Sequence, residues 1–132
     1  MESPAPLVAE CALTDPAGGL AAVRRFTRLA LLAWTDATAV DDVLLAVTEL
    51  ATNALQHGGA NPVLRLSVGA ERIRVEVFDD DPAPPVRRPA GDDGGWGLAL
   101  VDRLALDWGI ARHGRGKVVW CALPATSAEL AG

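Results

Sequence analysis

Lysine is almost absent: the 132-residue chain has one, Lys117, among twelve basic residues. The arginines are scattered or matched by nearby acids, and the formal charge is −5, which leaves no broad basic surface for nucleic acid. Cysteine is scarce as well. Cys11 and Cys121 stand far apart without ligand-like spacing, which speaks against a disulfide framework or a zinc site and for a reducing cytoplasm. No run of eighteen apolar residues occurs, and MESPAPLVAE has an acid and two prolines where a secretory signal carries basic and apolar segments. Neither export nor membrane spanning is expected. A GxxxxGK[ST] sequence is missing too, and Lys117 stands in the wrong context to replace its lysine. What is present, 50% apolar and 22% charged residues, is ordinary for one folded domain.

Residues 1–6 read as a loose tail, and LVAECAL (Leu7–Leu13) as a short strand before the turn-forming Asp15-Pro-Ala-Gly-Gly19. Apolar residues at Leu20, Val23, Phe26, Ala30 and Trp34, with Arg24, Arg25 and Arg28 on another side, predict an amphipathic helix over 20–34. A second is expected from about Ala39 to Gln56, capped by Thr38 or Asp36, with Asp41 and Asp42 in its first turn. The period then drops to two. Leu64, Leu66 and Val68 alternate with Arg65 and Ser67, and Ile73, Val75 and Val77 with Arg74 and Glu76, as in a hairpin. The stretch DDDPAPPVRRPAGDDGG (Asp79–Gly95) suits neither helix nor strand, and loops of this length are more often functional than merely connecting. A third helix over 97–106 and strands at Asp107–Arg112 and Lys117–Leu123 follow, the strands flanking the turn His113–Gly116. Five strands beside three helices predict an α+β fold in two layers, a mixed, mostly antiparallel sheet covered on one face by helices. The domain is expected over 7–124, with a lid loop at about 80–95 and a second tail at 125–132.

Three polar features stand out against this frame. In ELATNALQH, Glu49, Asn53 and His57 recur every fourth residue and form one ridge beside the apolar face of the second helix. A surface Glu, a locally bonded Asn and a His satisfying the last carbonyls would explain them. A Glu and an Asn one turn apart also suit a divalent cation that carries phosphate. The alternating strand VEVFDDD delivers Asp79 at the edge of the sheet, where a carboxylate can accept from an amino group such as that of adenine; a solvated acidic turn is the plain alternative. Gly94-Gly-Trp-Gly97-Leu98 opens a helix whose first amides can meet a phosphate, a weak signal when taken alone.

In this order and spacing the three features resemble the GHKL-type (Bergerat-fold) ATP-binding domain shared by DNA gyrase, Hsp90-type chaperones, histidine kinases and MutL. Glu49-x-x-x-Asn53-Ala54-x-x-His57 is similar to its N-box, Asp79-x-Asp81-x-x-Pro84 to its adenine-contacting box, and Gly95-x-Gly97-Leu98 to its second glycine box. LLAVTELATNA and the closing Asp107-Trp-Gly…Gly116-Lys-Val-Val-Trp120-x-Ala-Leu-Pro124 resemble the bacterial anti-sigma-factor serine/threonine kinases and their standalone actinobacterial relatives.

The resemblance implies ATP and Mg²⁺ as cofactors. Asn53 is then the Mg²⁺ ligand, Glu49 the base that orients or deprotonates the attacking hydroxyl, and Asp79 the reader of the adenine amino group. Gly95, Gly97 and the amides around Leu98 line the phosphates, Arg87 and Arg88 act from the lid, and His57 supports the site. Asp81 stands where the family usually has glycine, which adds volume and charge beside the base. The implied activity is phosphate transfer to a small anti-sigma-factor antagonist in the cytoplasm. A sigma factor or that antagonist is the expected partner, a homodimer is consistent with the likeness, and no direct nucleic-acid or membrane contact is expected. The alternative is a non-catalytic protein-binding module of the same fold. A histidine kinase needs a phosphoaccepting helical segment, for which the residues before the first helix leave little room.

Overall fold

A computed structural model describes residues 7–13, 19–57, 61–81 and 97–126. Its elements are β1 (Leu7–Ala12), α1 (Gly19–Leu31), α2 (Ala37–His57), β2 (Val63–Val68), β3 (Arg72–Asp79), α3 (Gly97–Leu104), β4 (Asp107–His113) and β5 (Gly116–Pro124). The strands form one sheet in the order β1-β2-β3-β5-β4. Every pairing in it is antiparallel, so the parallel component of the expected mixed sheet is not found among the described residues.

Alternation fixes which face of the sheet is buried. Leu64, Leu66 and Val68 of β2, Ile73, Val75 and Val77 of β3, and Val119, Cys121 and Leu123 of β5 stand in register on one face. Against them pack Val40, Val43, Leu44, Val47, Leu50, Ala51 and Ala54 of α2, with Val23 and Leu31 of α1 and Val101 of α3. Each fully buried aliphatic side chain contributes roughly 1.5–3 kcal/mol of transfer free energy, so this stripe is what holds α2 to the sheet. The opposite face is mixed, with Arg65, Arg74 and Glu76 beside Val118, Trp120 and Ala122. Arg74 pairs with Glu76 at 3.2 Å and lies 4.3 Å from the ring centroid of Trp120. The Trp120 indole in turn crosses Gly109, where a Cβ would sit 3.0 Å from it.

Several boundaries differ from the expectation for physical reasons. Asp36, not Thr38, caps α2: its Oδ1 accepts the Ala39 N–H at 2.9 Å. The helix therefore begins at Ala37, and Asp41 and Asp42 fall beyond its first turn. Burial, with Asp41 and Asp36 nearby, raises the pKa of Asp42. The first helix ends at Leu31, where Trp34 and Thr35 both donate to the Leu31 carbonyl. Trp34 is consequently 46% exposed rather than in the core. At the far end Ala125 is buried, donates to the Glu71 carbonyl and accepts from the Thr35 hydroxyl. The packed body thus extends one residue past Pro124.

Candidate functional site

The start of β2, the end of β3 and the start of β5 meet at one end of the sheet, since Val63 pairs with Phe78 and Asp79 with Lys117. The end of α2 is tied to the start of β2 by a short connection. Between His57 and Val63 the chain can span at most about 20 Å. Asn53 and Glu49 lie about 6 and 12 Å back along the helix axis.

Glu49 and Asn53 are both half-buried on α2. Burial pushes the Glu49 carboxyl above its ordinary range, which makes its ionised form a stronger proton acceptor. His57 occupies the last turn of α2. Gly97 and Leu98 begin α3, an eight-residue helix. That helix is fixed to β4 by the Trp108 indole, which donates to Asp102 at 2.8 Å. Arg87, Arg88, Gly95 and all of the lid beyond Asp81 lie outside the described residues.

Asp79 continues the buried phase of Ile73, Val75 and Val77, so its carboxylate enters the helix-covered side of the sheet and is only 5% exposed with its backbone included. Its Oδ1 accepts the Asp81 N–H at 2.8 Å, which bends the chain sharply after β3. Asp79 and Asp81 are thus brought together as one turn. A third residue joins them that the sequence reading did not place in the site. The Lys117 ammonium donates to Asp79 Oδ1 at 3.0 Å and to the Asp81 carbonyl at 2.8 Å, and the residue is 4% exposed. The signal for it was its phase: Lys117 alternates with Val119, Cys121 and Leu123, the residues of β5 on the helix-covered face. A lysine in that phase requires a buried partner.

Among the described residues no group of three His, Cys, Asp or Glu side chains is placed to hold a metal by itself. The donor set fits Mg²⁺ carried by a phosphate. Mg²⁺ keeps several waters and takes one or two protein oxygens, and the half-buried ridge of Glu49 and Asn53 offers that number. No helix among the described residues is long and apolar enough to cross a membrane.

Residues 14–123 match the family model of the histidine kinase-like ATPase domain. The chain belongs to that family. An uncharacterised protein of Streptomyces coelicolor is 38% identical over 82 residues, covering 57% of this chain and 78% of its own. Among solved structures, the histidine kinase domain of the blue-light activated histidine kinase of Erythrobacter litoralis is similar, with a TM-score of 0.52 and 27% identity over 86% of this chain. A structure of that light-activated kinase aligns with a TM-score of 0.56 at 24% identity, again over 86% of this chain, a likeness of fold alone. This chain spans 64% of the kinase domain and 42% of the larger kinase structure. With the five-stranded antiparallel sheet and three helices, the fold is the Bergerat type of a GHKL ATP-binding domain.

Proposed function

We propose that this protein is an ATP- and Mg²⁺-binding regulator of the anti-sigma-factor kinase type, which transfers phosphate to a serine or threonine of a small antagonist protein. The observation that carries the reading is the pair Glu49 and Asn53, one helical turn apart and half-buried, with the basicity of Glu49 raised by burial. A passive binder has no need of a base beside a metal-ligating amide.

In this reading Asn53 holds the cation through its side-chain oxygen, and Glu49 orients the attacking hydroxyl and accepts its proton. Bound ATP supplies the γ-phosphoryl group, whose bond to the seryl oxygen forms as its bond to the ADP leaving group breaks. Gly97 and Leu98, with Gly95, present amides to the phosphates; Arg87 and Arg88 act from the lid, and His57 supports the end of the helix. Asp79 and Asp81 form the base end. The setting is the cytoplasm, with a sigma factor and the antagonist as partners, and a homodimer belongs to the same reading.

The test is phosphate transfer from labelled Mg-ATP to antagonist proteins of this regulatory class, with a known kinase of the class in parallel. Labelled antagonist is expected with the wild type and not with Asn53→Ala. No transfer to any antagonist, while the control kinase transfers, refutes the kinase assignment.

A second reading, a non-catalytic protein-binding module, is favoured by Asp81, a bulky acid where the family usually has glycine. Calorimetry with Mg-ATP on the wild type, Asn53→Ala and Asp79→Ala separates the two. No heat of binding from the folded wild type leaves the module alone.

A further inference from the structure

The only lysine of the chain is buried at the base end of the site. Lys117 is the cross-strand partner of Asp79, and the residue before it, Gly116, lets β5 approach the Asp79 backbone more closely than a Cβ would allow. The lysine stem therefore starts beside the carboxylate. Its ammonium reaches Oδ1, and the Asp81 N–H reaches the same oxygen. Among the described residues both hydrogen bonds to this carboxylate fall on that one atom. A carboxylate donates nothing and reads a base only by accepting, so its value to an amino group depends on an open oxygen and an uncompensated charge. Here Oδ1 is filled twice and the charge is neutralised at 3.0 Å, so an amino group meets only Oδ2 of a carboxylate whose charge is already compensated.

We infer that Lys117 is the specificity-determining residue of the base site. By holding Asp79 in a buried ion pair it weakens the carboxylate as an acceptor for an amino group. The site then accepts purine nucleoside triphosphates with little regard for the substituent at purine position 6. Separating a buried ion pair costs far more than a neutral amino donor returns, so the base does not displace the ammonium. The inference rests on the reading that this chain binds nucleotide, and it alters how Asp79 serves that reading.

The experiment compares two ligands on one protein: ATP and purine riboside triphosphate, which lacks the 6-amino group, each titrated with Mg²⁺ in a calorimeter. A hydrogen bond to an open, charged carboxylate discriminates by roughly tenfold or more. The wild type is expected to bind the two within about threefold, because that bond is not made in full. Lys117→Thr shortens the side chain and frees the carboxylate; Lys117→Gln keeps most of its length without the charge. Both are expected to gain a preference for ATP of roughly tenfold. The ratio of two affinities measured on the same sample is insensitive to the fraction folded, so a destabilised variant still reports. If Lys117→Thr fails to fold, Lys117→Gln and the wild-type ratio still test the inference. A tenfold preference for ATP in the wild type, or variants that bind both ligands equally, overturns this inference alone. Folded wild type and variants that bind neither ligand overturn the nucleotide reading and this inference with it.

Discussion

Gly116 and Asp79 are in backbone contact across β5 and β3: a Cβ on Gly116 would lie 2.7 Å from the Asp79 carbonyl carbon and no farther from Cα of Asp80. No rotamer relieves such a clash, because the obstructing atoms are main chain. The close approach puts Lys117 beside Asp79 and within reach of the Asp81 carbonyl in the turn after β3.

Gly116→Ala is therefore expected to destabilise the fold by about 2–3 kcal/mol, as overpacking against immovable atoms does. It should also loosen the Asp79 end of the sheet. Urea denaturation gives the first quantity. Amide exchange at Phe78 to Asp81 reads the second, and protection equal to wild type there would refute the positioning role.

Asp36 closes the first turn of α2 through the Ala39 N–H. Asp36→Ala leaves that amide without its partner and is expected to cost about 1 kcal/mol, whereas Thr38→Ala should cost much less. Equal losses in thermal denaturation would mean that the cap is shared.

The sheet was legible in the sequence wherever one face alternated cleanly. Ile73 to Asp79 is expected as a strand and β3 spans Arg72–Asp79, because Ile73, Val75 and Val77 have one face to bury and Arg74 and Glu76 another. The length of α1 was less legible. Trp34 continues its apolar period, yet the chain turns at Leu31 and its side chain remains exposed. Periodicity records what can be buried, and tertiary packing decides what is. Glu49 and Asn53 were legible as a pair because one helix carries both at a fixed spacing. The pairing of Asp79 with Lys117 was hidden because it joins residues 38 apart, and only strand register brings them face to face.

Cys121 lies fully in the core, and burial, its largest cause, pushes its thiol up to about 12, with Arg74 opposing weakly. The folded protein therefore holds this proton while the unfolded chain releases it near the ordinary value of 9.0. The stability due to this group is complete below that value and is lost as pH rises through the interval up to about 12. Within it the loss approaches about 1.4 kcal/mol per pH unit. Cys121→Ala should flatten that slope in denaturation measured between about pH 9 and 10.5. In native buffer a thiol reagent should modify the half-buried Cys11 first and reach Cys121 only on unfolding.

Burial also raises the pKa of Glu49, so its folded form keeps the proton more tightly than the unfolded chain does. Below the ordinary value of 4.5 both states are protonated and nothing is lost. As pH rises above it the unfolded chain ionises first, and stability falls until the folded carboxyl has ionised as well. Glu49→Gln removes this ionisation. The variant is expected to gain stability over the wild type at pH 7, with the gain shrinking toward pH 4, read from urea midpoints at the two values. Its phosphate transfer should fall about a hundredfold or more, since a positioned base is lost, while Mg-ATP binding through Asn53 persists. A stability difference independent of pH would mean that burial of the carboxyl is not its origin. Undiminished transfer would mean that the hydroxyl proton goes elsewhere. Gain of stability with loss of transfer is the pattern expected of a carboxylate held partly out of water for a proton it must accept.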